Sequence, residues 1–106
     1  MIKREEAFLL IKKWKEEKSL IRTVLFIGDE NKSIGRSVVA GRIAKFSDDG
    51  IFVLGGTDAG VKIDLGGAIF DYDDERELED MAGQYSDFIR SMIVPGVHLF
   101  LAVVKK

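Results

Sequence analysis

Apolar residues fall at helical spacing near the start of the chain and at strand spacing after it. Between Ile2 and Lys18, Ala7, Leu10, Ile11 and Trp14 line one stripe, Phe8 widens it, and Lys or Glu fills most other positions. That pattern predicts an amphipathic helix over about 2–18 with its stripe against a core. Lys12–Glu16 and Lys13–Glu17 sit four apart and predict weak ion pairs on its wet side. Leu20 to Ile27 is short, rich in β-branched and aromatic residues, and apolar on both parities. A strand covered on both faces has that composition.

The polar run Gly28 to Ser33 predicts a loop, and a second strand is expected from about Ser37 to Phe46 with Gly41 inside it. Ser47-Asp48-Asp49-Gly50 has the composition of a tight hairpin loop, with Gly50 suited to a left-handed position. Ile51 to Leu54 is the expected third strand, and Gly55 to Gly60 turns the chain again. Val61 to Leu65 alternates, as a strand with one wet face does, and Ala68 to Tyr72 follows the Gly66-Gly67 turn as a fifth strand. Asp73-Asp74-Glu75 resembles the acidic start of a helix over about 74–84. A hairpin through Pro95-Gly96 should follow, with a helix running on to 93 as the rival for 85–93. Val97 to Val104 reads as a strand.

Short strands with Gly-rich turns, preceded by one helix, predict a mainly β chain rolled into a small barrel rather than a layered α/β fold. Glycine within a strand is costly unless it permits a sharp bend, and Gly41 fits that role. A chain of 106 residues is expected to be a single domain, 1–106. Within it we expect a helix at about 2–18, barrel strands at about 20–72 and a C-terminal extension over 73–106, holding a short helix and one or two strands.

Gly41, Ile43, Phe46, Phe52 and Leu54 occupy the glycine and apolar positions of a pattern, Gly-x-Leu-x-x-Phe-Asp-x-x-Met-Asn-Leu-x-Leu, that spans two strands of the Sm-like family. Leu65-Gly66-Gly67 before Ala68-Ile69-Phe70 is similar to that family's second motif, Ile-Arg-Gly before a short strand. Residues 2–72 therefore resemble an Sm-like fold, which implies a strongly bent, five-stranded, SH3-like barrel after an N-terminal helix. It also implies ring or dimer assembly through edge strands. RNA-binding members use the Asp and Asn of the first motif and the Arg of the second around a uridine pocket. Ser47, Ile51 and Gly66 stand at those positions here, so RNA binding is not carried over with the fold.

Composition narrows the chemistry. There are no cysteines, which excludes disulfides, thiolate metal sites and cysteine nucleophiles. The first residues hold no apolar run long enough for a signal sequence, and no segment approaches the ~20 apolar residues that cross a bilayer. A cytoplasmic protein without a membrane partner is expected. The net charge of −2 hides an asymmetry: residues 1–45 hold 11 Lys/Arg against 6 Asp/Glu (+5), and residues 46–106 hold 5 against 12 (−7). Arg36, Arg42 and Lys45 form a basic strip on the second strand, the best nucleic-acid feature in the chain.

Other motifs fall short of a site. Gly28 and Gly35-Arg36-Ser37 miss the spacing and the Lys of a phosphate loop. The acidic run Asp71 to Glu77 lacks the glycine and the final glutamate of an EF-hand loop. His98, the single histidine, has neither cysteine partners for zinc nor a Gly-x-Ser-x-Gly serine. Trp14 and Tyr72 are not interleaved with basic residues, and Trp14 reads as core. No metal, cofactor or catalytic residue is therefore expected. The expected function is a non-catalytic binding or assembly module, self-associating through apolar or edge strands, with an RNA-binding Sm-like protein of altered pocket as the alternative.

Overall fold

The computed structural model describes residues 2–28, 33–55, 60–71 and 85–105. One helix, α1 (Arg4–Glu16), precedes seven strands: β1 (Leu20–Gly28), β2 (Ser33–Phe46), β3 (Ile51–Gly55), β4 (Gly60–Asp64), β5 (Ile69–Asp71), β6 (Tyr85–Val94) and β7 (Val97–Val104). All strand pairs are antiparallel, and the order across the sheet is β4-β3-β2-β1-β7-β6-β5. The expectation of a mainly β chain with an N-terminal helix is met. Tyr85–Val94 is a strand hairpinned to β7, not the continuation of a helix: it pairs with β7 in an antiparallel ladder, and both strands bury side chains on both faces, Phe88 and Ile89 on β6 and Leu101 and Ala102 on β7. The expected helix over 74–84 and the acidic run 73–77 lie outside the described residues.

Helix α1 ends in a Schellman-type turn. Lys18 takes the left-handed position at φ 54°, with Ser19 N donating to Trp14 O at 3.1 Å and Lys18 N to Lys15 O at 3.1 Å. Its expected ion pairs are only half realised. Lys13 and Glu17 approach to 4.0 Å, while Lys12 reaches across to Asp48 at 2.7 Å. At 13 residues and with a charged side, α1 is not long and apolar enough to cross a membrane, and no other helix occurs among the described residues.

The core lies between α1 and one face of the sheet. Ala7, Phe8, Ile11 and Trp14 from the helix join Ile21, Ile43, Phe46, Phe52, Leu54, Ile63, Leu65, Phe70, Ile89, Leu99 and Leu101 in one buried cluster. Thr23 lies on the same face of β1 and is buried, yet its hydroxyl has no hydrogen-bond partner among the described residues.

Strand β2 organises the curvature. It pairs with β1 from Ser33 to Arg42 and with β3 from Arg42 to Phe46, so Arg42 alone is paired on both sides. Gly41 sits at that crossing, and a bulge follows between Ile43 and Lys45. The sheet's two edges, β4 and β5, are joined through residues 65–68. A flat seven-stranded sheet would hold its edges roughly 29 Å apart, six steps of about 4.8 Å. The chain from Asp64 to Ile69 spans at most about 18 Å, so the sheet must roll.

The expected closed barrel is nevertheless not formed: no ladder joins β4 to β5, and the sheet stays open. Strand β5 has only three residues, and its free edge is taken by Ile2, whose N–H donates to Phe70 O at 3.3 Å. The N-terminal segment thus occupies the position a closing strand needs. Helix α1 covers the gap, with the Phe8 ring edge-on to Phe46 at 5.0 Å on one side and to Phe70 at 5.9 Å on the other.

Candidate binding surfaces

The two stretches that resemble Sm-like motifs come together. Gly50, at φ 96°, closes the Ser47–Gly50 turn, and its carbonyl accepts a hydrogen bond from Leu65 N at 2.8 Å. The groups gathered there are acidic. The Ser47 hydroxyl donates to the Asp49 carboxylate, and Asp64 Oδ1 accepts from Gly66 N at 2.8 Å. Asp48 is committed to Lys12. Donation from Ser47, more than its other contacts, holds the Asp49 carboxyl below the usual carboxylate range. Carboxylates bound to their own turns repel phosphate and offer no donors to a base edge. No group of three or more potential metal ligands occurs among the described residues.

The opposite feature is the face of the sheet that α1 does not cover. Strand alternation sends Arg22, Val24 and Phe26 of β1 to this side, with Ile34, Arg36, Val38, Ala40 and Arg42 of β2. Register aligns them in transverse rows. Arg36 lies beside Phe26, Phe26 beside His98, and His98 beside Met92. The next row runs Val38, Val24, Phe100 and Arg90, and the third runs Ala40, Arg22, Ala102 and Phe88. Rows are about 7 Å apart, two residues along a strand.

The three sequence-predicted cations share this face: Arg36 and Arg42 have the same parity, and Lys45 returns to it through the bulge, opposite Val53. Arg42 is partly tied down, its Nε donating to Lys18 O at 3.2 Å. Sequence reasoning missed Arg22, which reaches the same face from another strand. It also missed the stack of Phe26 on His98, with ring centres 5.0 Å apart and planes 18° from parallel. Arg22 and Arg36 are exposed and form no ion pair with a described residue. Strands β1, β2 and β7 together contain four cations and no carboxylate. That absence was the signal available in the sequence.

Apolar side chains are also exposed here: Ile34 at 73% and Val38 at 42% on β2, Leu20 at the Arg42 end of β1, and Ile69 on β5 at the far edge. At the Leu20–Arg42 end the face runs into an open cleft of about 520 Å³, where Lys18, Arg42 and Lys105 outnumber the carboxylate of Glu17. The phosphate-loop glycines are excluded by geometry, since Gly35, Arg36 and Ser37 are ladder residues paired with Ile27, Phe26 and Leu25. No protein family, curated protein or solved structure matches the chain.

Proposed function

We propose that this protein is a non-catalytic binding or assembly module built on a small Sm-like or SH3-like rolled sheet, a barrel left open between β4 and β5. The bent second strand, the leading helix and the contact between the 47–50 and 64–66 turns support the barrel reading. The observation that carries the functional reading is the helix-free face, where Ile34 and Val38 stand exposed on β2. A folded chain gains nothing in stability from apolar groups left in water, and exposed apolar patches mark interaction surfaces.

Assembly is assigned to the sheet's edge. Strand β4 has five residues and no described strand on its outer side. Antiparallel pairing of two copies centred on Ile63 would set Lys62 opposite Asp64 twice across the twofold axis. Having no cysteine, the chain needs no oxidising compartment, and we take it to work in the cytoplasm.

Two measurements test the reading. Replacing Ile34 and Val38 together by Ser is expected to change stability by less than ~1 kcal/mol, about 0.5 for each exposed site. A loss above ~2 kcal/mol, as for core positions, would show the face to be structural and end the binding reading. Light scattering on the purified protein should return a dimer or larger species, and a clean monomer removes assembly from the proposal.

A further inference from the structure

We propose that the helix-free face of β2, β1 and β7 binds single-stranded nucleic acid, an inference that rests on the binding-module reading and gives its ligand. Three observations combine. The three strands hold Arg22, Arg36, Arg42 and Lys45 and no carboxylate, in a chain whose overall charge is −2. Arg22 and Arg36 are exposed without an ion-pair partner among the described residues, so their charge is available to a ligand. At the Arg36 end of these cations, half-buried Phe26 and His98 form a stacked ring pair in the row headed by Arg36.

Charge decides against a second copy as the occupant. A twofold interface matches a patch with itself, so four cations and no carboxylate would meet four more. An anionic partner has no such cost. Arg36 and Arg42 stand six residues apart on β2, roughly 20 Å, and Arg22 lies between them on the neighbouring strand. An extended polyanion therefore finds cations along its length rather than at one point. The rings then choose among polyanions. Unpaired bases stack on aromatic faces irrespective of sequence, whereas a duplex keeps its base faces internal and an acidic peptide has none. The cleft beyond Leu20, with Lys18 and Arg42 on its walls, continues the positive track past the end of the sheet.

The test is fluorescence anisotropy with labelled 12-nucleotide oligo(dT) and oligo(U) at low salt, the two arms separating DNA from RNA. Binding of either is expected. It should weaken roughly 20-fold for a fourfold rise in salt, the slope of about −2 given by three neutralised phosphates on a single strand. The double variant Arg22→Gln/Arg36→Gln should bind at least about tenfold more weakly and lose more than half of that slope. Phe26→Leu keeps an apolar group in the strand and removes the ring, and should weaken binding about fivefold or more. Circular dichroism and a thermal melt establish that each variant is folded. If Phe26→Leu fails that check, the arginine pair decides.

Three outcomes overturn the proposal: no binding of either oligomer at low salt, equal or tighter binding of a duplex or of polyglutamate, and binding unchanged in the arginine variant. None of these touches the binding-module reading, which stands or falls on the Ile34/Val38 stability measurement.

Discussion

A β-carbon added to Gly41 would fall against the carbonyl oxygen of Gly55, far inside van der Waals contact. Strand β3 crosses β2 that closely because β2 bends at Gly41 as it passes from β1 to its second partner. The contact is with backbone, which has no rotamer to yield. Gly41→Val should therefore destabilise the protein by more than ~2 kcal/mol, by strain that the bend cannot relieve. Gly67→Ala, where a β-carbon would meet nothing within 4 Å, should stay within ~0.5 kcal/mol. Urea unfolding of the two variants makes the comparison, and equal midpoints would remove the close crossing.

Phe8 packs on both halves of the rolled sheet, against Phe46 on β2 and Phe70 on β5. It is also buried, so Phe8→Ala removes a ring from the core and the brace between the sheet's two halves. A loss of about 3–5 kcal/mol is expected, a large share of the roughly 5–15 kcal/mol that holds a domain of this size together. Phe8→Leu should cost less, and denaturant midpoints rank the two.

Thr23 is 2% exposed, and its hydroxyl has no partner among the described residues. Val39 and Leu101 flank it on the adjacent strands. Thr23→Val keeps the β-branched shape and removes the stranded hydroxyl, so stability should rise by about 1 kcal/mol or more. A lower melting temperature in the variant would show the hydroxyl to be bonded in solution.

Asp49 is fully exposed, and donation from the Ser47 hydroxyl lowers its pKa. A carboxyl lowered in the folded state favours folding above its unfolded pKa, and that contribution fades as pH falls through the folded value. Ser47→Ala should bring the Asp49 pKa back up toward the ordinary carboxylate value, read by a carboxyl-carbon NMR titration. The acid limb of the stability curve should flatten to match. An unmoved Asp49 titration would assign the shift to another contact.

Local elements were legible because local chemistry sets them. The stripe of Ala7, Ile11 and Trp14 announced the helix, Gly41 marked the bend, and Gly50 took the left-handed position its turn requires. The open sheet was not legible, since it depends on Ile2 pairing with Phe70, a single bridge between distant residues that leaves no periodic trace. Lys12 likewise passed over the nearby Glu16 for Asp48, a choice made by packing rather than spacing. Arg36 and Arg42 could be assigned to one face from parity alone. Arg22 could not join them until the β1–β2 register was known, and the Phe26–His98 stack needed the β1–β7 register as well.

The place of β7 has a consequence for how the chain reaches this structure. β7, formed by residues 97–104, lies in the middle of the sheet, beside β1 from the opposite end of the chain. During synthesis the β1-to-β4 meander can form early from neighbours in sequence, but one edge of β1 must wait until residues 97–103 have left the ribosome. Until then Ile21, Thr23 and Leu25 lack half of their surroundings, and an apolar edge stands open to any other strand that passes. Completion then requires a long loop to close, which is slow compared with hairpin formation. The nascent chain is therefore most exposed to misassembly just before β7 arrives.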